Sequence, residues 1–408
     1  MESFLTHPTE KKSRIESLDI LRGFALLGIL LMNIQSFSMP EAAYLNPMAY
    51  GNMTGANQWV WVFSHIFADQ KFMTIFSVLF GAGILLFSEN AEAKRGRSAG
   101  LHYRRTIWLL IIGLIHAHLI WHGDILVAYA ICSSIVFLFR KMKPAKLFVI
   151  GLLVIAVHTL LYSIPAVTIS NWPQDAIAEA MASWNPTSVQ INNEIDAFTG
   201  TYKQQLHKRS EIALFMETGV LLMIFLWRAG GLMLVGIALY KWGILSAEKS
   251  SGFYMKGWLI SWLIGLPIVI YGIIQNYSHN WALEYSMFGG SQYNYWGSLL
   301  VSFGFICLIM MMVKSTNFMW IKARLAAVGQ MALSNYLTQS VICVFIFYGI
   351  GFGFFASVER MGQFLIVLGI WLVQLMWSKP WLDKYLFGPF EWVWRSLTYW
   401  SIQPFRKV

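Results

Sequence analysis

Long runs of apolar residues, bounded by charged or turn-forming residues, recur from near one end of the chain to the other. A run of about 20 such residues is long enough for one helix to cross the hydrocarbon layer of a membrane. The pattern predicts ten spans, at 18–38, 57–88, 104–121, 124–140, 145–165, 211–243, 253–276, 294–313, 324–348 and 361–379. The second and sixth are long and contain charges, so each is predicted to be tilted, broken or made of two helices.

Two of these spans pair an arginine at one end with a polar residue near the middle. Arg22 is followed eleven residues later by Asn33, and Arg105 is followed eleven residues later by His116. Eleven residues make about three helical turns, so each pair shares a helix face with about 16 Å between its members. Because an ionisable side chain at mid-membrane is costly, His116 is the leading candidate for a catalytic residue.

The chemistry available to these residues is acid–base catalysis beside a phosphate clamp. An imidazole can take a proton from an acceptor or carry an acyl group, although a neutral histidine can also simply bridge two helices. A guanidinium binds phosphate in a forked geometry, although arginines at a membrane edge commonly serve as anchors. Arg105 and Arg22 are therefore candidates for binding the phosphates of a donor, and Asn33 for positioning a carbonyl.

The ninth span repeats the spacing, with Arg324 eleven residues before Asn335. Arg324 is accordingly a third candidate for phosphate binding. His65, in the second span, is the second candidate for a catalytic histidine. Asp69 or Glu217 is a candidate carboxylate partner that would orient His116, although paired structural charges explain both residues at least as well.

No metal site is predicted near His116. His118 lies about 200° around the helix from His116, so one ion cannot bind both. His118 and His122 are four residues apart, but no further ligand with zinc spacing is evident. Asp124 is predicted to cap the next helix.

Composition and charge place the chain among polytopic membrane proteins. Of its 408 residues, 57% are hydrophobic and 12% charged, with a net charge of +10. The cations concentrate on one side of the predicted spans, and the other side holds only Lys203, Lys208, Arg209 and Arg360. This asymmetry predicts that both termini are cytoplasmic and explains the net charge without nucleic acid. The three cysteines lie in apolar stretches and suggest no disulfide framework.

The spans and their charges divide the chain into four parts. Residues 1–165 form the first helical group, and 166–210 form an extracytoplasmic loop that could cover the acceptor side. Residues 211–386 form the second helical group. Residues 387–408 mix tryptophans with cations and predict an interfacial segment.

Several segments resemble the signature blocks of YeiB-type bacterial membrane proteins. The longest is 14–33, RIESLDILRGFALLGILLMN, and the others are 43–47, 71–83, 123–126, 231–241, 328–340 and 387–398. The first half is also similar to the transmembrane acyltransferase superfamily, which includes bacterial glycan O-acetyltransferases and heparan glucosaminide N-acetyltransferase. Arg105 and His116 match an arginine–histidine motif of the bacterial branch, and Asp19 and Arg22 match its first-span motif.

The resemblance carries further implications for the site. Asn33 stands where the O-acetyltransferases have a histidine and is similar to the asparagine of the glucosaminide enzyme. His65 falls in the region of that enzyme's catalytic histidine. The family likeness implies acetyl-CoA or another acyl-CoA as donor, on the cytoplasmic side.

The hypothesis is an inner-membrane acyltransferase, with a small molecule, a glycan or a lipid as acceptor and a homodimer as a possible assembly. It requires a path from the basic residues at the cytoplasmic side to His116. A solute transporter is the alternative, because broken spans and buried charges suit one. A non-catalytic membrane partner, whose polar residues only join helices, is a third reading.

Overall fold

The structure is a computed structural model that describes residues 15–407. It is built from helices, and the described residues contain no strand beyond one isolated bridge between Tyr385 and Arg406. The helices are α1 Glu16–Ser38, α2 Ala42–Leu45, α3 Gly55–Phe67, α4 Lys71–Arg95, α5 Ala99–Leu119, α6 Leu126–Val136, α7 Pro144–Thr168, α8 Gln174–Trp184, α9 Ser188–Thr199, α10 Tyr202–Phe215, α11 Leu226–Lys241, α12 Ser251–Ser278, α13 Leu283–Tyr285, α14 Ser291–Lys314, α15 Met319–Gln330, α16 Ala332–Phe347, α17 Arg360–Lys384 and α18 Pro389–Tyr399.

Seven helical segments of the described chain are long and apolar enough to cross a membrane, and a bent pair makes an eighth. The prediction of a polytopic helical membrane protein is confirmed at this level. Two of the ten predicted spans fall outside this set. The span at 104–121 corresponds to α5, and the span at 124–140 corresponds to the shorter apolar helix Leu126–Phe139. A helix of that length falls short of the roughly 20 residues that a crossing needs.

The bundle has two ends. We call the end where α1 begins and α18 contacts α5 the tail side; there the indole Nε1 of Trp394 donates to the carbonyl oxygen of Arg105 over 2.9 Å. We call the opposite end, where α8 and α9 lie, the cap side. At the cap side, Phe198 of α9 packs against Tyr348 and the ring of His122.

Glycines bring pairs of helices into backbone contact. A Cβ added at Gly81 of α4 would lie 2.0 Å from the carbonyl oxygen of Met233 on α11, and one at Gly236 would lie 2.0 Å from that of Val78. The same close approach joins α1 to α15 at Gly23. Small residues at such crossings are how helices pack in membranes, where lipid offers no hydrophobic drive to associate.

The predicted irregular spans are broken or distorted, as the charges within them indicated. Gln70, with φ 64°, separates α3 from α4. The sixth span keeps its helical course, but Met216–Phe225 within it is π-helical.

The ninth span departs from the prediction. It bends by 81° between α15 and α16, where Met331 leaves helical geometry. The prediction that Arg324 and Asn335 share one helix face is therefore wrong, because the two residues lie on different helices.

Residues 166–210, predicted as a loop, fold mainly into helices that cover the cap side. Trp184 anchors α8 by donating from its indole nitrogen to the carbonyl oxygen of Trp281 over 2.8 Å. Glu194 on α9 accepts a hydrogen bond of 3.0 Å from the backbone nitrogen of Glu41. Burial, reinforced by the charge of Glu41, raises the pKa of Glu194 to about 7.

The carboxyl of Glu194 makes stability fall with rising pH. Its pKa is raised from 4.5, so the folded state holds this proton more tightly between about 4.5 and about 7, and the stabilisation is lost as pH rises through about 7. We expect a lower Tm at pH 8 than at pH 5, and a smaller difference in Glu194→Gln. The exposed Glu179 on α8 provides the control: Glu179→Gln should keep the wild-type pH dependence. An unchanged dependence in Glu194→Gln would contradict this origin.

Candidate functional site

His116 and Asp124 form a buried pair where α5 turns into α6. The imidazole Nδ1 lies 2.8 Å from Asp124 Oδ1, and each side chain is only 1% exposed. The other carboxylate oxygen, Oδ2, accepts from the backbone nitrogen of Val127 over 2.9 Å. Asp124 therefore caps the helix, as predicted, and at the same time holds the imidazole.

The predicted carboxylate partners of His116 are wrong. Asp69 lies against His65, with 3.2 Å between Asp69 Oδ2 and His65 Nδ1. Glu217 pairs with His118 over 3.2 Å. The turn between α5 and α6 is tight enough to return Asp124 to the ring only eight residues after His116, a contact that helical periodicity does not report.

The second ring nitrogen of His116, Nε2, is the one that could accept a proton. A carboxylate on Nδ1 favours the tautomer with its proton there and leaves a lone pair on Nε2. Nε2 is buried without a hydrogen-bond partner, and so is the hydroxyl of Tyr336, whose ring centroid lies 5.2 Å from that of the imidazole. An unpaired buried polar atom costs about 1–3 kcal/mol, so Nε2 marks a place for a polar group.

Arg105 lies between two aromatic rings at the tail side. Its guanidinium carbon is 4.4 Å from the ring centre of Trp394 and 4.7 Å from that of Phe87. None of the hydrogen bonds among the described residues uses its guanidinium, so its donors remain available. Arg22 and Arg395 lie near enough for their charges to act on it. A phosphate beside Arg105 would find forked donors there.

The two predicted Arg–polar pairs lie on uninterrupted helices, α1 and α5. Eleven residues of α5 separate Arg105 from His116 by about 16 Å. Arg22 pairs with Asp19, with 3.1 Å between Nη1 and Oδ1. Asn33 is half-buried and makes no described hydrogen bond to the His116–Asp124 pair.

Arg324 and Asn335 lie outside this site. The Arg324 guanidinium donates to the carbonyl oxygen of Leu375 over 2.6 Å. The Asn335 amide donates to the hydroxyl of Ser378 and accepts from the indole of Trp377, each over 3.1 Å. These contacts hold α15, α16 and α17 together, which is a structural role.

His65 belongs to a separate buried network at the break between α3 and α4. The amide of Asn294 accepts from Lys71 Nζ over 2.5 Å and donates to Asp69 Oδ2 over 2.7 Å. Lys71 Nζ also donates to the carbonyl oxygen of His65 over 2.7 Å. Nearby, the buried Arg228 guanidinium donates to Tyr295, Thr74 and Ser298. We call the set His65, Asp69, Lys71, Asn294 and Arg228 the charged network.

Three participants in the His116 site were not among the sequence candidates for it: Asp124 as the partner of His116, Tyr336 beside the ring, and Trp394 over Arg105. The role of Asp124 could have been inferred from its position, since it follows a histidine-rich helix end within one short turn. Tyr336 and Trp394 come from distant parts of the chain, and only the packing of α16 and α18 against α5 brings them in.

The fold and the site define a polytopic helical membrane protein with a buried histidine–carboxylate pair. The chain is 31% identical over 394 residues to "Uncharacterized protein YeiB" of Escherichia coli (strain K12), which covers 94% of this chain and 95% of that protein. It is 31% identical over 424 residues to "Uncharacterized protein YxaH" of Bacillus subtilis (strain 168), which covers 98% of each. A model described as "Protein of unknown function (DUF418)" matches residues 239–401. The chain belongs to the YeiB-type family.

Proposed function

We propose that this protein is an integral membrane acyltransferase that takes an acyl group, with acetyl as the first candidate, from acyl-CoA. The observation that carries the proposal is the buried Nε2 of His116, which has no hydrogen-bond partner. Asp124 holds the ring in place, and His116 lies on the same helix as Arg105. The excess of lysine and arginine on one side supports a cytoplasmic tail side, which would place Arg105 on the side that holds acyl-CoA. We further propose the bacterial inner membrane, with both termini cytoplasmic.

His116 would act as the general base. Its Nε2 takes the proton from an acceptor hydroxyl or amine as that oxygen or nitrogen attacks the thioester carbonyl. The new carbon–oxygen or carbon–nitrogen bond replaces the carbon–sulfur bond. The proton then passes from Nε2 to the leaving thiolate, which departs as a thiol. Asp124 stabilises the imidazolium that exists between these two transfers.

The site requires an opening motion before it can react. The path from Arg105 to His116 that the hypothesis requires is closed in this structure, because the His116 side chain is enclosed and Trp394 covers the guanidinium of Arg105. The tail helix α18, which carries Trp394, packs on α5, so its displacement would uncover Arg105. Binding that needs such a motion is weakened by the cost of populating the open state.

We expect Arg105→Gln to raise the KM for acetyl-CoA by about 10- to 100-fold, the value of one or two charge-assisted hydrogen bonds. Its kcat should change less, because Arg105 lies one helix length from the reacting atoms. Arg104 is the matched control: it donates to the carbonyl oxygen of Thr398 and stacks on Trp400. Equal effects of Arg104→Gln and Arg105→Gln on KM would argue against a specific clamp at Arg105.

The test of the activity uses purified full-length protein in nanodiscs with radiolabelled acetyl-CoA. Wild-type protein should bind acetyl-CoA and release CoA thiol, slowly to water and faster with an acceptor present. Protein that binds no acyl-CoA and releases no thiol would overturn the proposal.

A solute transporter remains the second candidate, favoured by the charged network. Discontinuous helices with buried charges at the break are typical of transporter sites. In proteoliposomes, exchange of a labelled solute without acyl-CoA, abolished by Lys71→Met, would favour this function. Acyl transfer that survives Lys71→Met would favour the acyltransferase.

A further inference from the structure

A cleft opens on the side of the bundle between α5, α6 and the π-helical segment Met216–Phe225. It is narrow, with room for about one water-sized group such as an ammonium, and Leu221 and Phe225 form part of its wall. Asp124 and His122 also line it. Since Asp124 holds His116 through Oδ1, the cleft reaches the carboxylate of the proposed catalytic pair.

Two polar atoms of the cleft are buried without a hydrogen-bond partner. Glu217 lines it and uses Oε2 to pair with His118, but its Oε1 is buried without a partner. His122 Nδ1 is likewise buried and unpartnered. The described lining residues include two carboxylates and neither lysine nor arginine. The charge of the cleft therefore suits a cationic group and disfavours an anionic one.

The surface around the mouth is apolar. Ile115 and Leu119 on α5 and Leu214, Phe215 and Leu222 on the facing segment are all largely exposed. Large exposed apolar side chains on a membrane-spanning bundle face lipid tails. The mouth therefore opens sideways into the membrane.

The segment opposite α5 has an unusual conformation. A π-helix is rare, and where it occurs it is often at a functional site. The stretch Met216–Phe225 carries Glu217 in its first turn. The Glu217 carboxylate pairs with His118 over 3.2 Å, so this contact joins the π-helical segment to α5 beside the cleft.

We propose that this cleft is a lateral entrance for a membrane lipid whose head group carries a primary amine, and that this lipid is the acyl acceptor. The inference rests on the proposed function, because it names the acceptor of the same site. Glu217 binds the ammonium and takes its first proton. The neutral amine then moves past Asp124 to the Nε2 side of His116 and attacks the thioester. Its nitrogen–carbon bond replaces the carbon–sulfur bond, and its second proton passes through His116 Nε2 to the thiolate.

The test uses photolabelling, which needs no catalysis. Full-length protein in nanodiscs of phosphatidylethanolamine and phosphatidylglycerol receives a trace of either lipid with a diazirine on its acyl chain. After illumination, labelled peptides are mapped by mass spectrometry. We expect the phosphatidylethanolamine probe to label the cleft, at Leu221 and Phe225, about tenfold more than the phosphatidylglycerol probe, the value of one charge-assisted contact.

Two variants sharpen the result. Glu217→Gln should abolish the preference for the amine lipid. Glu211→Gln should keep it, because Glu211 is an exposed carboxylate on α10 that pairs with Lys208. Equal labelling by both probes, or labelling spread over the whole lipid-facing surface, would overturn the lateral entrance.

The acyltransferase activity and the lipid acceptor can be tested independently of each other. Radiolabelled acetyl-CoA, followed by extraction into organic solvent, reports transfer to lipid. Acetyl transfer only to a water-soluble amine, with no labelling of the cleft, would overturn the lipid acceptor and leave the acyltransferase standing. Labelling of the cleft without any acyl transfer would support the lipid site and overturn the acyltransferase.

Discussion

Replacing His116 by asparagine is expected to lower the rate of acyl transfer by about 10²- to 10⁴-fold, the usual contribution of a general base. The asparagine amide nitrogen stands roughly where Nδ1 stands in histidine, so it can still donate to Asp124. The variant thus removes Nε2 while it keeps the buried carboxylate paired. A loss of rate with little change in Tm would separate catalysis from structure.

Asp124→Asn is the companion variant. The asparagine oxygen can still accept from the backbone nitrogen of Val127 and keep the cap of α6. Its amide nitrogen would then donate toward Nδ1 of His116 and favour the tautomer with the proton on Nε2, which cannot act as a base. We expect kcat to fall strongly while the KM for acetyl-CoA changes little. If both variants keep wild-type rates but melt at lower temperature, His116 only joins helices.

Gly81→Ala is expected to destabilise the bundle by about 1–3 kcal/mol, the range for overpacking an interior. The added methyl would lie 2.0 Å from the carbonyl oxygen of Met233, so α4 and α11 would have to separate. Those helices carry Lys71 and Arg228, so the charged network would loosen with them. Thermal unfolding in detergent, followed by the fluorescence of the chain's tryptophans, measures the loss.

Gly83 provides a control two residues further along the same helix. A Cβ added there meets nothing within 4 Å. Gly83→Ala should therefore be neutral, or stabilising by up to about 1 kcal/mol through helix propensity. Equal effects at Gly81 and Gly83 would contradict backbone contact between α4 and α11. Gly236→Ala acts on the same contact from the other side, so its effect should not add fully to that of Gly81→Ala.

The sequence predicts the helical class and the irregular spans because both depend on local composition. The charges at Asp69 and Lys71 cannot face lipid, and the helix breaks beside them at Gln70. Arg105 and His116 share a helix because eleven residues is a property of helical periodicity, which α5 keeps without interruption. The cap role of Asp124 follows from its place before α6.

The features that the sequence does not predict depend on packing between distant segments. The spacing of Arg324 and Asn335 looked like that of the other pairs, but α15 and α16 meet at an 81° bend. Glu391 on α18 stabilises that bend, because its carboxylate accepts hydrogen bonds from the backbone nitrogens of Leu333 and Ser334 in the first turn of α16. No local pattern links residues so far apart in the chain. The presence of Tyr336 and Trp394 at the site could not be predicted for the same reason.

A cryo-electron microscopy map of the full-length protein at saturating acetyl-CoA would test the central claim most directly. The account predicts nucleotide density against the guanidinium of Arg105, with α18 displaced and the pantetheine arm directed along α5 toward His116. A map with α18 still packed over Arg105 and no nucleotide there, or with nucleotide bound elsewhere, would contradict it.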